Sequence, residues 1–541
     1  MKKSVCSLLA MATIAFSLVG CQRQIPTDLL TLDTTITWWN DYAQEGTEAE
    51  TQRYDYVQGV IEEFNKIYPN IKIVQENHES YGKIASDINT GLSAGNIPNM
   101  ASVYPDPTIV WDETPDAILH TEEYFNDSLI GFGRMNDDQG NVTTDESTAY
   151  SDIQSSIESE KSGYGEGPLL TLPYSRSSEA LFINQTVFDK EGAGLCGNDS
   201  ADEVMGDQEK YKAPVAAASK KKYAVPTDWE DMIALARQMK TDFPTLFDGS
   251  KDEYGYFKAM PICYDSGDNL FITFCKMMGI DYTDSKSVLF NNDDAKAMMV
   301  QLKKWNNEGL IGTADQLPIK NPQEGWHEYS TSVVNYGQVF MLISSTTSGM
   351  YMGVDGYRVG VYQTPTVGAD DMPDVTFSDK VSKTGEHYAI SQGPSLVLFR
   401  NADENVQKAT FMFYKFLTNT ENGAGLSATT GYFPVRQSSN DTPTLKTIID
   451  AADSTINDKS NNDADLTAKM NKYKGLSYRI NEQYNEQDDY FIAPINEHSA
   501  SCRTAVGELV NTIFNTPATT DDEIEALVEN SFKTAYSAAI G

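Results

Sequence analysis

Histidine, cysteine and positive charge are all scarce in this 541-residue chain, and each scarcity removes a class of function. The five histidines, His78, His120, His327, His387 and His498, are widely separated, with no H-E-x-x-H pair and no metal-ligand spacing. No G-x-x-x-x-G-K-[ST] phosphate cradle occurs. The six cysteines contain no C-x-x-C pair, so a zinc ribbon or a thioredoxin-like site is unsupported, and they are too few for a disulfide scaffold. Lysine and arginine number 41 against 78 aspartates and glutamates, a net charge of −37. Such a surface repels phosphate backbones and anionic headgroups, which excludes nucleic acid and polybasic membrane binding. Past residue 20 no apolar run is long enough to cross a bilayer; Val333 to Ile343 and Ser395 to Phe399 are strand-sized.

The informative presence is at the start. Met1-Lys2-Lys3 precedes a short apolar run from Val5 to Val19, ending Leu18-Val19-Gly20-Cys21. A positive n-region, a run too short for a permanent span and a small residue before cysteine resemble a bacterial lipoprotein signal, with Cys21 lipidated and first in the mature chain. An ordinary secretory signal with an incidental Cys21 is the alternative. Residues 22–35 carry no core-forming pattern and read as a tether. The expected location is the outer side of the cell membrane, with the lipid as the only membrane contact. Loss of Lys2 and Lys3 with the signal takes the charge to −39. Cys196, Cys263, Cys275 and Cys502 remain after Cys6 and Cys21, and one or two disulfides or buried free thiols both fit.

The mature chain of roughly 520 residues exceeds what one core serves, so at least two lobes are expected. Ile36 to Trp39 reads as a strand. Val57, Val60, Ile61, Phe64 and Ile67 mark a helix over 54–68, Ile71 to Val74 a second strand, and Lys83 to Ala94 a helix stopped by Gly95. Strand alternating with helix indicates a parallel α/β layer, whose ligands gather at the carboxyl ends of strands. That places Trp39, Asn40, Asp41, Tyr104 and Asp106 on one rim. A further helix follows Thr227 or Asp228 through Met239, and another runs from Asp293 to Glu308. Residues 126–167 read as a loop-rich excursion, and 198–223 and 438–465 as polar insertions.

Four stretches in order resemble the extracellular solute-binding proteins of family 1, the maltose-binding-like receptors of ABC importers. They are Ala94-Gly95-Asn96-Ile97-Pro98-Asn99; Leu172-Pro173-Tyr174 through Asn184-Gln185; Tyr336-Gly337-Gln338-Val339-Phe340-Met341-Leu342-Ile343; and Ala409 to Leu417 with Thr430-Gly431-Tyr432-Phe433-Pro434-Val435. The resemblance implies a two-lobed α/β fold of the type II periplasmic-binding-protein kind, each lobe a mainly parallel sheet flanked by helices, with solute in the cleft. The expected division is signal 1–20, tether 21–35, first lobe 36–172 plus 388–437, and second lobe 173–387 plus 438–541. It implies a monomeric, non-enzymatic receptor without cofactor or metal, handing a mono- or oligosaccharide to an ABC permease. A polyol phosphate or other anionic solute is the alternative, and a surface glycan hydrolase the alternative of another class.

Sugar C–H faces stack on aromatic rings and hydroxyl rims need planar polar partners. Besides the first rim, Tyr174 and Arg176 after the crossover, Phe257, Asp265, Asp268 and Asn269, and Ser344, Ser345 and Thr347 are candidates; Tyr432 and His498 to Arg503 enter by resemblance. Thr347 stands where relatives often carry a stacking tryptophan. Strand alternation turns one of Trp38 and Trp39 outward, and Trp39 is the choice for the cleft. Each has a structural alternative: hinge packing for Tyr174, an ion pair with Glu179 for Arg176, helix capping for Asp265 and Asp268, and a structural role for Arg503. Trp111, Trp229, Trp305 and Trp326 read as packing residues. Asp137, Gln139, Gly140 and Glu146 have EF-hand spacing, but Met135 fills the first slot, and a solvated acidic loop is the better reading.

Overall fold

The computed structural model describes residues 31–45, 48–137, 141–184, 187–188, 223–251, 255–317, 319–321, 325–327, 330–335, 337–352, 359–453, 466–487 and 489–541. Cys21, Cys196 and the signal lie outside these residues, as do all but Tyr223 of the 198–223 insertion and 454–465 of the second.

The strands that position the site are, in chain order, β1 (Thr34–Asn40), β2 (Ile71–Asn77), β3 (Met100–Val103), β4 (Leu172–Pro173) and β5 (Glu179–Asn184). They continue as β6 (Ile262–Tyr264), β7 (Ile311–Thr313), β8 (Met341–Ser345), β9 (Val359–Tyr362) and β10 (Ser395–Leu398). Two five-stranded sheets result, ordered β2-β1-β3-β10-β4 and β9-β5-β8-β6-β7. In each, two pairings are parallel and two antiparallel, so that a single strand, β10 or β5, runs against the other four. Thr34 and Thr35, read as the end of the tether, already pair with Ile71 and Lys72.

Helices α1 (Glu48–Ile67) and α2 (Tyr81–Ala94) make the first crossovers. The Ser80 hydroxyl caps α2, and Gly95 ends it at φ +67°, a conformation that favours glycine. The 126–167 excursion is more ordered than its polarity suggests. It holds a short ribbon, Arg134–Asn136 with Val142–Thr144, and helix α3 (Tyr150–Gly163). Only Ile153 and Ile157 supply its apolar stripe, so the helical period was hidden among serines and glutamates.

Two hydrophobic cores follow the sheets. One joins Ile36 to Tyr174 with Leu396 to Val435, and the other joins Leu181 to Ile390 with Cys502 to Ala539. Trp111, Trp229 and Trp305 are buried in them; the Trp326 side chain is outside what is described. Helix α4 (Gly267–Met278) and helix α6 (Ser499–Asn515) belong to the second core. Between them in sequence, α5 (Leu466–Gln487) straddles the division. Its Tyr478 packs with Phe433, Leu445 and Ile448, and its Leu476, Ile480 and Tyr484 pack behind β5 and β8.

The lobes are joined by crossing segments bonded side by side. Ser177 and Gln392 exchange both backbone hydrogen bonds, at 2.7 and 2.9 Å, and Arg176 and Phe433 do the same. Gly393 sits at φ +115°, and a Cβ there would meet the Ser175 carbonyl oxygen at 2.8 Å, so no larger residue fits this crossing without displacement.

Candidate functional site

The two sheets bring several of the expected rim residues to one seam. β3 runs out into Tyr104-Pro105-Asp106, and β6 runs out into Asp265 and the start of α4. Between them is a cavity of about 160 Å³ lined by Tyr104, Asp106, Arg176, Asp268, Gln392 and Arg503, among others.

Arg503 is the centre of its charge. Its guanidinium donates to the Asp268 carboxylate at 2.8 Å and to the Asn269 side-chain oxygen at 3.0 Å, and its Nε lies 3.6 Å from Asp106 of the opposite lobe. Burial alone would raise the Asp268 carboxyl, but Arg503 together with hydrogen bonds from Ser266 and the Asn269 backbone holds it below its ordinary value. Asn269 in turn donates to Gln392 at 3.0 Å, tying α4 to the crossing. Asp265 and Asp268 do not cap α4: the N-cap is Ser266, without a side-chain cap bond. Instead Ser344, itself buried, donates to Asp265 at 2.9 Å, and burial raises the Asp265 carboxyl.

Arg176 makes an ion pair, but with Glu160 rather than Glu179. Glu160 reaches it from α3, three residues beyond Ile157 on the same helical stripe. Glu179 instead accepts from the Tyr264 hydroxyl at 2.6 Å and from Thr273, and burial pushes its carboxyl up to about 7.

A second polar group lies along the seam. Asp41 follows β1, and burial raises its carboxyl against the opposing field of Arg53. Arg53, on α1, donates to the Tyr351 hydroxyl at 2.9 Å, linking the lobes again. Tyr81 and Tyr432 stand beside them, and Arg53 Nε is shielded from solvent without a hydrogen-bonding partner. Tyr104 packs edge-on to Tyr81 at 5.4 Å and remains 42% exposed, which leaves a ring face open to the seam.

Other candidates serve elsewhere. Tyr174 is 2% exposed and bonds to Tyr42 at 3.2 Å and Ser102 at 3.0 Å beneath the cleft. Asn40 is fully buried and braces Tyr42 and Gln75. Trp39 is not brought to the seam: its indole donates to Glu76 at 2.6 Å and its ring lies 4.2 Å from His78. Trp38 is the one behind Tyr42 and Tyr174, bonded to Ser102. Alternation gave opposite faces, yet both faces of this sheet are covered, so alternation could not say which was solvent-facing. Phe257 packs under Lys251, behind β6. Ser345 and Thr347 bond chiefly to one another in the turn after β8.

Residues that sequence reasoning missed are Arg53, Tyr81, Glu160, Tyr351 and Gln392. None left a usable signal: Glu160 is on the buried face of α3, a helix whose period was itself hidden. Among the described residues no group of three or more histidine, cysteine, aspartate or glutamate side chains could hold a metal ion. Asp137 is bonded to Asn141, while Gln139 and Gly140 lie outside the described residues. Gly91-Leu92-Ser93-Ala94-Gly95 has G-x-S-x-G spacing, but it spans the end of α2 rather than a strand-to-helix elbow.

Two α/β lobes on crossing segments, with a tyrosine- and carboxylate-lined cavity in their seam, define a cleft receptor of the periplasmic-binding-protein class. The family profile of bacterial extracellular solute-binding proteins matches residues 59–453, and the chain belongs to that family. It is 24% identical over 430 residues to the sn-glycerol-3-phosphate-binding periplasmic protein UgpB of Pectobacterium atrosepticum, covering 79% of this chain and 77% of that one. The Escherichia coli K12 protein of the same name is 23% identical over 412 residues, 75% and 76% of the two chains. Among solved structures, UgpB from Mycobacterium tuberculosis in complex with glycerophosphocholine matches with a TM-score of 0.59 at 13% identity, covering 94% of this chain and 98% of that one. The cyclic α-maltosyl-1,6-maltose binding protein from Arthrobacter globiformis matches at 0.57 and 12%, covering 94% and 100%. No helix among the described residues is long and apolar enough to cross a membrane.

Proposed function

We propose that this protein is a non-enzymatic receptor, lipid-anchored through Cys21, that captures a neutral polyhydroxylated solute, a mono- or oligosaccharide, and delivers it to an ABC permease. The observation that carries the solute class is the state of the cleft arginines. Arg176 is paired with Glu160, Arg503 with Asp268 and Asp106, and Arg53 faces Asp41 and Tyr351. An anion would have to compete with those carboxylates, whereas a sugar brings hydroxyls to Asp106, Asp268 and Gln392 and a C–H face to Tyr104. Closure of the two lobes about the crossings then biases an existing open–closed equilibrium. The reading with a polyol phosphate or other anionic solute is supported by two arginines lining one cavity and by the names of the curated relatives.

A thermal-shift screen across sugars, polyols and sugar phosphates tests the choice. A ligand at 100 times its Kd adds about 2.7 kcal/mol of stability, a rise of a few degrees for a chain of this size. Uncharged sugars are expected to raise Tm without turnover. A rise with sugar phosphates alone transfers the assignment to the anionic class. Release of smaller sugars from a glycan, abolished by one carboxylate substitution, replaces the receptor with a hydrolase.

A further inference from the structure

We infer that the cleft takes a single sugar ring and that Ile492 is the residue that shuts out a second. This rests on the reading of the protein as a receptor for a neutral sugar. The cavity in the seam measures about 160 Å³. A protein cavity of about 150 Å³ accepts benzene, one six-membered ring. The space here therefore matches one pyranose ring, its hydroxyls turned to the polar lining and to the mouth. Stacking surface agrees with volume. Among the described residues lining the cavity, Tyr104 is the one aromatic, which gives one platform for a C–H face. In the turn after β8, Ser345 and Thr347 present hydroxyls bonded to each other and supply no second platform.

One side of the cavity is walled by a strap, residues 491–496, which leaves the second lobe, touches the first and returns. Tyr490 and Phe491 pair in parallel with Ala389 and Ile390, and Phe491 packs against the second core. Four residues on, the Ile495 amide donates to the carbonyl of Gly163, at the end of α3, at 2.7 Å. The Ile495 side chain is buried in the first core. The Asn496 side chain then donates to the Asp284 carbonyl, past the end of α4, at 2.7 Å. Gly163 is what admits the strap. A Cβ there would meet Ile495 Cδ1 at 2.9 Å and Ile492 Cγ2 at 3.0 Å.

Ile492, Ala493 and Ile495 thus add an apolar wall to the polar lining of Asp106, Asp268 and Gln392. Ile495 is held by the first core and Ala493 carries only a methyl. Ile492, half-buried, is the side chain that sets how far the cavity extends along the strap. A second sugar unit pushed along this wall would lose the water on its hydroxyls and meet only hydrocarbon, the penalty of a buried polar group without a partner.

Calorimetry on the full chain tests this with a panel of hexoses and pentoses and their 1,4- and 1,6-linked di- and trisaccharides. A monosaccharide is expected to bind at least about tenfold more tightly than any disaccharide that contains it, the size of one unsatisfied hydroxyl. Ile492→Ala is expected to narrow that ratio several-fold by opening the wall, with the ligand-free melting curve close to the parent's. If Ile492→Ala does not fold, Ile492→Val, one methyl smaller, takes its place. Equal or tighter binding of di- or trisaccharides by the unsubstituted protein overturns the inference and leaves the sugar receptor standing. An unchanged ratio in the variant overturns the role of Ile492. A response to sugar phosphates alone, or to no uncharged sugar, removes the solute class and this inference with it.

Discussion

Glu160→Ala is expected to cost about 3–5 kcal/mol of stability, because it strands a guanidinium at the junction of the lobes. The Glu160 side chain is 1% exposed and that of Arg176 13%, so water replaces the lost partner only in part, from the cavity side. Arg176 keeps only neutral acceptors, the Ser395 hydroxyl at 3.2 Å and the Ser175 carbonyl at 3.0 Å. The loss spreads, since the Thr171 hydroxyl also donates to Glu160 and is bonded to Tyr164 at 2.8 Å. Glu160→Gln keeps the shape and part of the bonding and should cost less. The double substitution Glu160→Ala with Arg176→Met should recover most of the loss, since an apolar replacement for both partners removes the unpaired charge. Denaturant titration measures all three; a Glu160→Ala variant within about 0.5 kcal/mol of the parent, the ordinary range for surface changes, would show that the pair carries no such burden.

Arg503→Ala is expected to weaken solute binding about 100-fold or more. Truncating one member of a buried, hydrogen-bonded charge pair at an interface costs about 2–5 kcal/mol, and 2.7 kcal/mol is already two decades. Here the truncation acts twice. Asp268 loses the cation that holds its carboxyl low, and Asp106 loses its partner across the seam, so closure brings two carboxylates toward each other without compensation. Arg503→Lys should not rescue affinity, because one ammonium cannot serve Asp268, Asn269 and Asp106 in the geometry of a guanidinium fork. Calorimetry with the solute found by thermal shift provides the measurement, and full affinity in Arg503→Ala would mean that closure does not depend on this pair.

Local pattern carried much of the fold. Asp228 does cap the helix that begins at Trp229, and the Asp293 helix ends at Asn307, before Gly309 at φ +70°. Strand ends likewise pointed to Tyr104 and Asp106, because the carboxyl edge of a parallel layer is legible from order alone. What order could not supply was partnership between distant segments. Arg176 had Glu179 three residues away, but β5 carries that side chain toward Tyr264, while α3 delivers Glu160 from sixteen residues upstream. Arg53 and Tyr351 are 298 residues apart and meet only because α1 and the turn after β8 face each other across the seam. Such pairs depend on how two lobes sit together, a quantity with no period in either segment.

The bonded chain beneath the cleft also gives the molecule an optical readout. The Trp38 indole donates to Ser102, Ser102 meets Tyr174, and Tyr174 meets Tyr42 one residue from Asp41. Tyr174 opens the crossing segment, so closure is expected to perturb this relay. Trp229 and Trp305 stand 6.0 Å apart in the second core, and Trp111 is bonded to Asn89, all away from the relay. Trp38 is therefore an indole placed to change its emission when solute enters, against a steady background from those three, and Trp38→Phe should diminish the fluorescence change while calorimetry still registers binding.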